Sequence, residues 1–247
     1  MSFIVVIPAR FQSTRLPGKP LLDIAGKPMI HHVVERARLS KADAVYVATD
    51  DERISESCKT HDIDVIMTSP NHCSGTDRIE EVSRILELPD EAIVVNVQGD
   101  EPLIPPEVIN QVAEDLDSHD EAQICTLYES FLEKEDVNNP NVVKVVVDNS
   151  GYALYFSRAP IPFSRTGEVV DNQDAYKRHV GIYGYRVKVL HDFVTWPPAE
   201  LESMEQLEQL RALSNNACIH VQKACATIPV GVDTQEDLEQ VRAFLSE

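Results

Sequence analysis

The chain has 247 residues, which is long enough for one large domain with a sizeable core. Its 22 basic and 41 acidic residues give a net charge of −19, and such a surface disfavours nonspecific binding to nucleic acids and to anionic membranes. No apolar run approaches the ~18 residues that span a bilayer, and the amino terminus lacks the basic and apolar regions of a leader peptide. These features predict a cytoplasmic protein that does not insert into membranes.

Cysteine usage agrees with that location. The chain has five cysteines, an odd number, and none of them forms a CxxC pair. The sequence therefore predicts reduced thiols and argues against both a disulfide framework and a structural zinc site.

Short apolar, β-branched runs alternate with amphipathic stretches through the first half of the chain, a pattern typical of βαβ units and a parallel sheet. The runs are too short for ordinary helices and predict strands at 3–7, 44–48, 65–67 and 93–97. The stretches between and after them predict helices at 29–40, 52–60, 77–86 and 107–116. The first half is therefore expected to form a doubly wound sheet.

The pattern changes at about residue 124 and changes back at about residue 195. Strands are predicted at 142–147, 152–156 and 181–185, with a turn at 148–151, so this section reads as an antiparallel extension. Prolines and polar residues at 157–177 indicate a long loop or lid. The end returns to α/β, with a helix at 202–213, a strand at 218–222 and a helix at 234–244 capped by Thr234. We predict a single α/β domain, 1–247, with a mostly parallel sheet.

The segment after the first predicted strand carries three cations within ten residues, Arg10, Arg15 and Lys19, in an otherwise acidic chain. Ligands of open α/β sheets bind at the carboxyl ends of the strands, where this loop is expected. These cations and the hydroxyl of Ser13 suit a polyphosphate, and Gly18 allows backbone amides to approach it. A solvated basic loop is the structural alternative. The chain contains neither GxGxxG nor GxxxxGK[ST], so no common dinucleotide motif or P-loop is indicated.

Six motifs, spread from one end of the chain to the other, resemble those of the 3-deoxy-manno-octulosonate (Kdo) cytidylyltransferases. The first is shared by many sugar nucleotidyltransferases, whereas the fourth and fifth are more specific to the Kdo family. In chain order the motifs are RFQSTRLPGKP (10–20), VNVQGDEP (95–102), YFSR (155–158), RHVGIY (178–183), LEQLR (207–211) and GVDT (231–234).

This resemblance implies a nucleotidyltransferase fold and a reaction in which the anomeric hydroxyl of Kdo attacks the α-phosphorus of CTP. The products are CMP-Kdo, which is used in lipopolysaccharide biosynthesis, and pyrophosphate. Such a displacement needs positioning and charge neutralisation more than covalent catalysis. Two alternatives stay open: the same chemistry on 8-amino-Kdo or another acidic sugar such as sialic acid, and a nucleotide-binding regulatory module without catalysis.

The resemblance also implies a catalytic group and a magnesium site. Lys19, Asp100 and Arg15 are the implied catalytic residues, and Asp100 and Asp233 are the implied ligands of Mg²⁺. Asp100 follows a predicted strand and Asp233 precedes a predicted helix, so both carboxylates can reach one edge of the sheet. A turn carboxylate and a helix cap are the structural alternatives for these two residues.

The remaining implied site residues fall into two sets. Those for CTP are Arg10, Ser13, Arg15, Lys19, Thr49, Ser74, Gly75 and Arg78. Those for the sugar are Gln98, His179, Tyr183, Glu208 and Gln209. Read without the family, Ser74 is an ordinary helix cap, Arg78 a surface residue, His179 a structural histidine and Glu208 a solvated helix charge.

The antiparallel extension is implied to form much of a homodimer interface. An extra sheet that only covers the core is the alternative. Arg158 and Arg165 are second-rank candidates for closing over the sugar or for reaching the partner subunit.

Overall fold

A computed structural model describes residues 1–12, 16–131, 137–165 and 175–245, which contain eleven strands and eight α-helices. The strands are β1 (Phe3–Ala9), β2 (Asp23–Ile24), β3 (Lys27–Pro28), β4 (Ala44–Thr49), β5 (Val65–Met67), β6 (Ile93–Asn96), β7 (Ile124–Ser130), β8 (Lys144–Val147), β9 (Ala153–Ser157), β10 (Lys177–Arg186) and β11 (Ile219–Lys223). The helices are α1 (Met29–Arg38), α2 (Glu52–Thr60), α3 (Gly75–Ile85), α4 (Pro106–Ser118), α5 (Val187–Phe193), α6 (Glu200–Glu205), α7 (Gln209–Ser214) and α8 (Gln235–Leu245).

Nine of the strands form one central sheet. Seven follow the order β11-β7-β10-β6-β1-β4-β5, and β8 and β9 extend the sheet from β10. Pairing is parallel from β6 through β1 and β4 to β5, and antiparallel where β10 meets β6, β7 and β8. The α/β class and the antiparallel extension are thereby confirmed.

Alternating side chains of β1 show why the sheet is covered on both faces. Val5 and Ile7 pack into one hydrophobic cluster with α1 and α4, whereas Val6 packs into another with α3, α5 and α7. All three side chains are fully buried. Parallel strands with helices on both faces have this continuous apolar sequence because neither face meets water.

The strand order places a crevice at the carboxyl ends of β1 and β6. From β1 the chain proceeds through β4 to β5 on one side, and β6 then lies on the other side of β1. The connections that leave β1 and β6 therefore run in opposite directions along the sheet, and the carboxyl ends of these two strands border a ligand-sized crevice.

The predictions for the second half of the chain differ from the structure in detail. The single helix predicted at 202–213 is two helices, α6 and α7, because Gln206 adopts a left-handed conformation with φ 53° and ends the first. Strand β7 and helix α5 were not predicted. Residues 166–174 of the predicted lid lie outside the described residues. No helix in the described ranges combines the length and apolar character needed to cross a bilayer.

Candidate functional site

Two adjoining cavities occupy the crevice. The outer cavity, of about 450 Å³, is lined by residues that include Arg10, Lys19, Ser74, Asp100 and Asp233. The inner cavity, of about 320 Å³, is lined by residues that include Asn96, His179, Tyr183, Glu208 and Gln209. Pro8, Gly75 and Gln98 line both cavities, so the two form one continuous cleft.

Close backbone packing shapes the floor of this cleft. A Cβ atom at Gly99 would lie 2.8 Å from the carbonyl oxygen of Pro8, so only glycine lets the chain after β6 approach the end of β1. Gly18 has φ +70° and lies against the ring of Phe11, which turns the basic loop back towards the cleft at Lys19.

The ammonium of Lys19 joins two distant loops. Its Nζ lies 2.7 Å from Oδ2 of Asp100, 3.1 Å from Oδ1 of Asp233 and 3.0 Å from the carbonyl oxygen of Val232. The backbone supports the same junction, because the amide of Val232 donates to the carbonyl oxygen of Asp100 at 2.8 Å. Three of the residues predicted for catalysis and metal binding are therefore adjacent.

This junction is electrostatically suited to a cation. Burial by itself lowers the pKa of Lys19, but attraction to Asp100 and Asp233 outweighs burial, and the net pKa is raised. Two carboxylates and one carbonyl oxygen converge on the position of the ammonium, and such oxygen donors are the ligands that Mg²⁺ prefers. The residues present therefore fit a magnesium ion.

Arg10 connects the basic loop to the segment that precedes α3. Its Nη2 donates to the carbonyl oxygens of His72 at 2.7 Å and Ser74 at 3.0 Å. Ser74 also begins α3 with a capping box, in which its hydroxyl accepts from the amide of Asp77 at 3.1 Å and its amide donates to the Asp77 carboxylate at 3.0 Å. The N-terminus of an 11-residue helix thus faces both cavities at Gly75, where its dipole favours an anion.

Two residues predicted to contact CTP lie beneath the cleft rather than in it. Thr49 and Arg78 are both fully buried. The hydroxyl of Thr49 accepts from the amide of Asp51 at 3.2 Å, and Nη1 of Arg78 donates to the hydroxyl of Thr68. Local packing covers both side chains, and their direct contact with CTP stays a prediction.

The guanidinium of Arg78 forms an ion pair with the carboxylate of Asp50. The distance between Nη2 of Arg78 and Oδ2 of Asp50 is 3.3 Å. Burial lowers the pKa of Arg78, and the negative charge of Asp50 offsets part of this shift. Within the described residues Nε of Arg78 has no hydrogen-bond partner, which is costly for a buried guanidinium.

All five residues predicted for the sugar line the inner cavity. Gln98 lies at the wall shared with the outer cavity, where its Nε2 donates to the carbonyl oxygen of Gly181 at 3.1 Å. Glu208 and Gln209 reach the cavity from the start of α7. Burial raises the pKa of Glu208, while the hydroxyls of Ser74 and Thr76 oppose the shift, and Oε1 of Glu208 is buried without a partner among the residues described. A sugar hydroxyl is the kind of donor that satisfies such an oxygen.

His179 is held as a neutral imidazole. Its Nε2 lies 3.0 Å from the hydroxyl of Thr126, which in turn lies 2.7 Å from the carbonyl oxygen of Ile182. Since the hydroxyl donates to that carbonyl, Nε2 of His179 donates to the hydroxyl and Nδ1 stays available as an acceptor. Burial, and then the adjacent Arg178, lowers the pKa of His179 to about 3.

We expect this buried histidine to make folding stability depend on pH. The unfolded chain binds the proton near pH 6.5 and the folded chain only near pH 3, so acid favours the unfolded state. The free energy of unfolding should fall by about 2 kcal/mol between pH 7.5 and 5.0 through this residue alone. His179→Gln should remove that part of the decline in urea denaturation at the two pH values. His191→Gln serves as the control, and equal pH dependence of wild type and His179→Gln would contradict the assignment.

Several polar residues of the site were missed by sequence reasoning. Asn96 is the lone polar residue of the otherwise apolar strand β6, a signal that marks a side chain turned towards a site, whereas Thr126 is one of several polar residues of β7. Glu101 follows Asp100, and burial together with the Asp100 carboxylate raises the pKa of Glu101 to about 8. No sequence signal separated Glu101 from an ordinary turn acid.

Four other candidates are placed away from the cavities or are not described. Arg158 is held by Glu205, since its amide donates to Oε2 at 2.9 Å and its Nε to the carbonyl oxygen at 2.7 Å, so it ties β9 to the end of α6. Arg165 is exposed. Ser13 and Arg15 lie outside the described residues, and their roles stay predictions.

Comparisons with known proteins agree with this geometry. A family model described as cytidylyltransferase matches residues 4–246. Two relatives named 3-deoxy-manno-octulosonate cytidylyltransferase, from Marinobacter nauticus and Cellvibrio japonicus, are 59% and 58% identical, over 99% of this chain and 97% and 98% of theirs. A solved structure described as CMP:2-keto-3-deoxy-manno-octonic acid synthetase complexed with CTP has a TM-score of 0.92 and 42% identity, covering 100% of this chain and 99% of that one. A cytidylyltransferase from Leptospira borgpetersenii, at 17% identity and a TM-score of 0.65 over 100% of this chain and 87% of that one, shares the fold.

Proposed function

The chain belongs to the cytidylyltransferase family, and we propose that it transfers CMP from CTP to the anomeric hydroxyl of Kdo, giving CMP-Kdo and pyrophosphate. The product is an activated sugar for lipopolysaccharide biosynthesis. One observation carries the proposal: the junction of Lys19, Asp100 and Asp233 lines the outer cavity, and the adjoining inner cavity is lined by the five residues predicted for an acidic sugar.

In this proposal the outer cavity holds the triphosphate. Lys19, Arg10 and Arg15 neutralise the phosphate oxygens, the hydroxyl of Ser13 donates a hydrogen bond to them, and the N-terminus of α3 adds backbone donors at Gly75. The anomeric oxygen bonds to the α-phosphorus as the bond to the β-phosphate oxygen breaks, and the hydroxyl proton passes to solvent. Positioning and charge neutralisation supply the rate enhancement.

The base is proposed to lie against the segment that Arg10 anchors. Backbone groups near Ser74 and Gly75 offer donors and acceptors to the edge of cytosine. Thr49 and Arg78 act from beneath by fixing Asp50 and the neighbouring strand ends. An acceptor that arrived with the base would also satisfy Nε of Arg78.

Asp100 and Asp233 are the residues proposed to hold Mg²⁺. When bound, the ion neutralises charge on the phosphates and lowers the pKa of the attacking hydroxyl. The sugar is proposed to occupy the inner cavity, where Gln98 at the shared wall orients the anomeric end towards the phosphates. Neutral His179 and the phenol of Tyr183, whose pKa burial raises well above its usual range, supply uncharged hydrogen-bonding groups to the hydroxyls.

The test is pyrophosphate release from the purified protein with Mg²⁺, Kdo and each of CTP, UTP, ATP and GTP, repeated with 8-amino-Kdo and with sialic acid. We expect release with CTP and Kdo. Release only with the amino sugar or with sialic acid would keep the mechanism and change the substrate. No release with any acidic sugar would instead favour a regulatory module that binds the nucleotide without catalysis.

A variant in the inner cavity separates the two halves of the site in the same assay. Glu208→Gln keeps the shape of the side chain but removes its charge, so the KM for Kdo should rise about tenfold while the KM for CTP stays unchanged. Glu200→Gln, an exposed position on α6, is the matched control. A rise in the KM for CTP alone would place the sugar elsewhere.

We further propose a homodimer that forms through the antiparallel extension and works in the cytoplasm. Leu154 on β9 is 63% exposed and Phe163 is 88% exposed, which supports an apolar contact on this extension. All five cysteines are free, as in proteins of a reducing compartment.

A further inference from the structure

A second cluster of metal-ligand side chains lies outside the cleft, where the end of α4 meets β11. Asp115 lies on the last turn of α4, His119 directly follows this helix, and His220 lies on β11. Nδ1 of His220 is 2.8 Å from Oδ2 of Asp115, and Nδ1 of His119 is 3.1 Å from Oδ1 of Asp115. The ligand atoms of the three side chains all lie within 4.8 Å of one another, and the two imidazole rings stack at 3.9 Å.

Acceptor oxygens face both ring nitrogens of His220. Nε2 of His220 lies 3.2 Å from the carbonyl oxygen of Ser150, which can only accept. When Nε2 donates to that carbonyl, Nδ1 presents a lone pair to the buried carboxylate of Asp115, 2.8 Å away. A metal ion binds to such a pair of nitrogen and oxygen donors.

The surroundings match those of a metal site. Nε2 of Gln222 donates to Oδ1 of Asp115 at 2.5 Å, and the Ser150 carbonyl orients His220, which are the outer hydrogen bonds that fix metal-binding carboxylates and histidines. Metal bonds of about 2.0–2.2 Å place neighbouring ligand atoms roughly 3 Å apart. Each imidazole has Nδ1 at about that distance from one carboxylate oxygen of Asp115. The side chain of His119 is 33% exposed, which gives an ion a path from solvent.

We propose that Asp115, His119 and His220 form a binding site for one divalent transition-metal ion of the zinc class, distinct from the magnesium ligands of the cleft. Two imidazoles and one carboxylate suit zinc, cobalt or nickel better than magnesium, and solvent completes the coordination. The ion joins α4 to β11 and to the turn before β9, a structural role.

The test is metal binding by the full-length protein after chelator treatment and dialysis. We expect CoCl₂ to give visible d–d absorption that saturates at one equivalent per chain and is displaced by ZnCl₂. His119→Ala, at a partly exposed position, should weaken binding at least tenfold, and zinc should raise the Tm of the wild type but not of this variant. His61→Ala is the control for an exposed histidine, and Asp100→Ala is the control for the cleft; both should keep the absorption.

The outcomes are separable from those of the nucleotide assay, because the readout is binding rather than pyrophosphate release. Identical cobalt and zinc titrations for wild type and His119→Ala would overturn the proposal. Loss of the absorption in Asp100→Ala, with retention in His119→Ala, would assign the ion to the cleft and equally overturn it.

Discussion

Asp100→Asn is expected to lower kcat for CMP transfer by about 10²–10³-fold, the range seen when one preorganised electrostatic group is removed from an active site. The amide keeps the size of the side chain but loses the charge that Asp100 offers to Lys19 at 2.7 Å and, in our proposal, to magnesium. The loop itself should hold its conformation, because the carbonyl oxygen of Asp100 still accepts from the amide of Val232 at 2.8 Å. Steady-state kinetics of pyrophosphate release at saturating CTP and Kdo measure the change.

The Mg²⁺ dependence of this variant distinguishes metal binding from a structural role. If Asp100 is a ligand, the Mg²⁺ concentration for half-maximal rate should rise in Asp100→Asn, and excess Mg²⁺ should recover part of the lost rate. Asp117→Asn, at an exposed position on α4, is the matched control and should leave both quantities unchanged. Turnover close to wild type in Asp100→Asn, with the same Mg²⁺ dependence, would contradict the assignment.

The proximity of Lys19, Asp100 and Asp233 could be predicted from the α/β pattern of the sequence. The lysine is 81 and 214 positions from the two aspartates, yet all three follow a strand or precede a helix of an α/β pattern. The carboxyl ends of parallel strands share one edge of the sheet, so topology alone brings such residues together. Residue type then selects those that can hold phosphate and a cation.

The burial of individual side chains was harder to predict from the sequence. Thr49 and Arg78 stand at correct places along the chain for a nucleotide site, but both side chains are turned into the protein. Arg78 lies in the first turn of α3, and the direction of its side chain depends on contacts with Thr68 and Asp50, which belong to other parts of the fold. A residue near a site can hold other residues in place instead of lining the cavity. Only the tertiary contacts distinguish these two roles.

The break between α6 and α7 has a similar origin. The sequence 202–213 is compatible with one continuous helix, because no glycine or proline interrupts it. In the structure the carbonyl oxygens of Glu205 and Gln206 instead accept from Arg158, at 2.7 Å and 3.3 Å, on a distant strand. These hydrogen bonds to Arg158 hold the end of α6, and Glu208 caps a separate helix, α7, beside the inner cavity. The break in the helix thus places Glu208 at the site.

Lys19→Ala is expected to lower kcat by about 10²–10³-fold with a smaller rise in the KM for CTP, because its charge is needed most where negative charge develops on the phosphates. Lys59→Ala, an exposed lysine on α2, is the control. An unchanged kcat would remove Lys19 from the chemical step.

The same variant should affect Mg²⁺ binding without nucleotide in the opposite direction. In the structure the ammonium lies among the oxygens of Asp100, Asp233 and Val232, which are the atoms proposed to receive the ion. Removing the ammonium leaves two carboxylates close together without a counter-charge, so Mg²⁺ should bind more tightly to Lys19→Ala than to wild type and raise its Tm further. Calorimetric titration and thermal denaturation with and without Mg²⁺ measure this. Slower turnover together with tighter Mg²⁺ binding is the combination that a simple loss of folding cannot produce, whereas weaker Mg²⁺ binding in Lys19→Ala would place the ion away from these two aspartates.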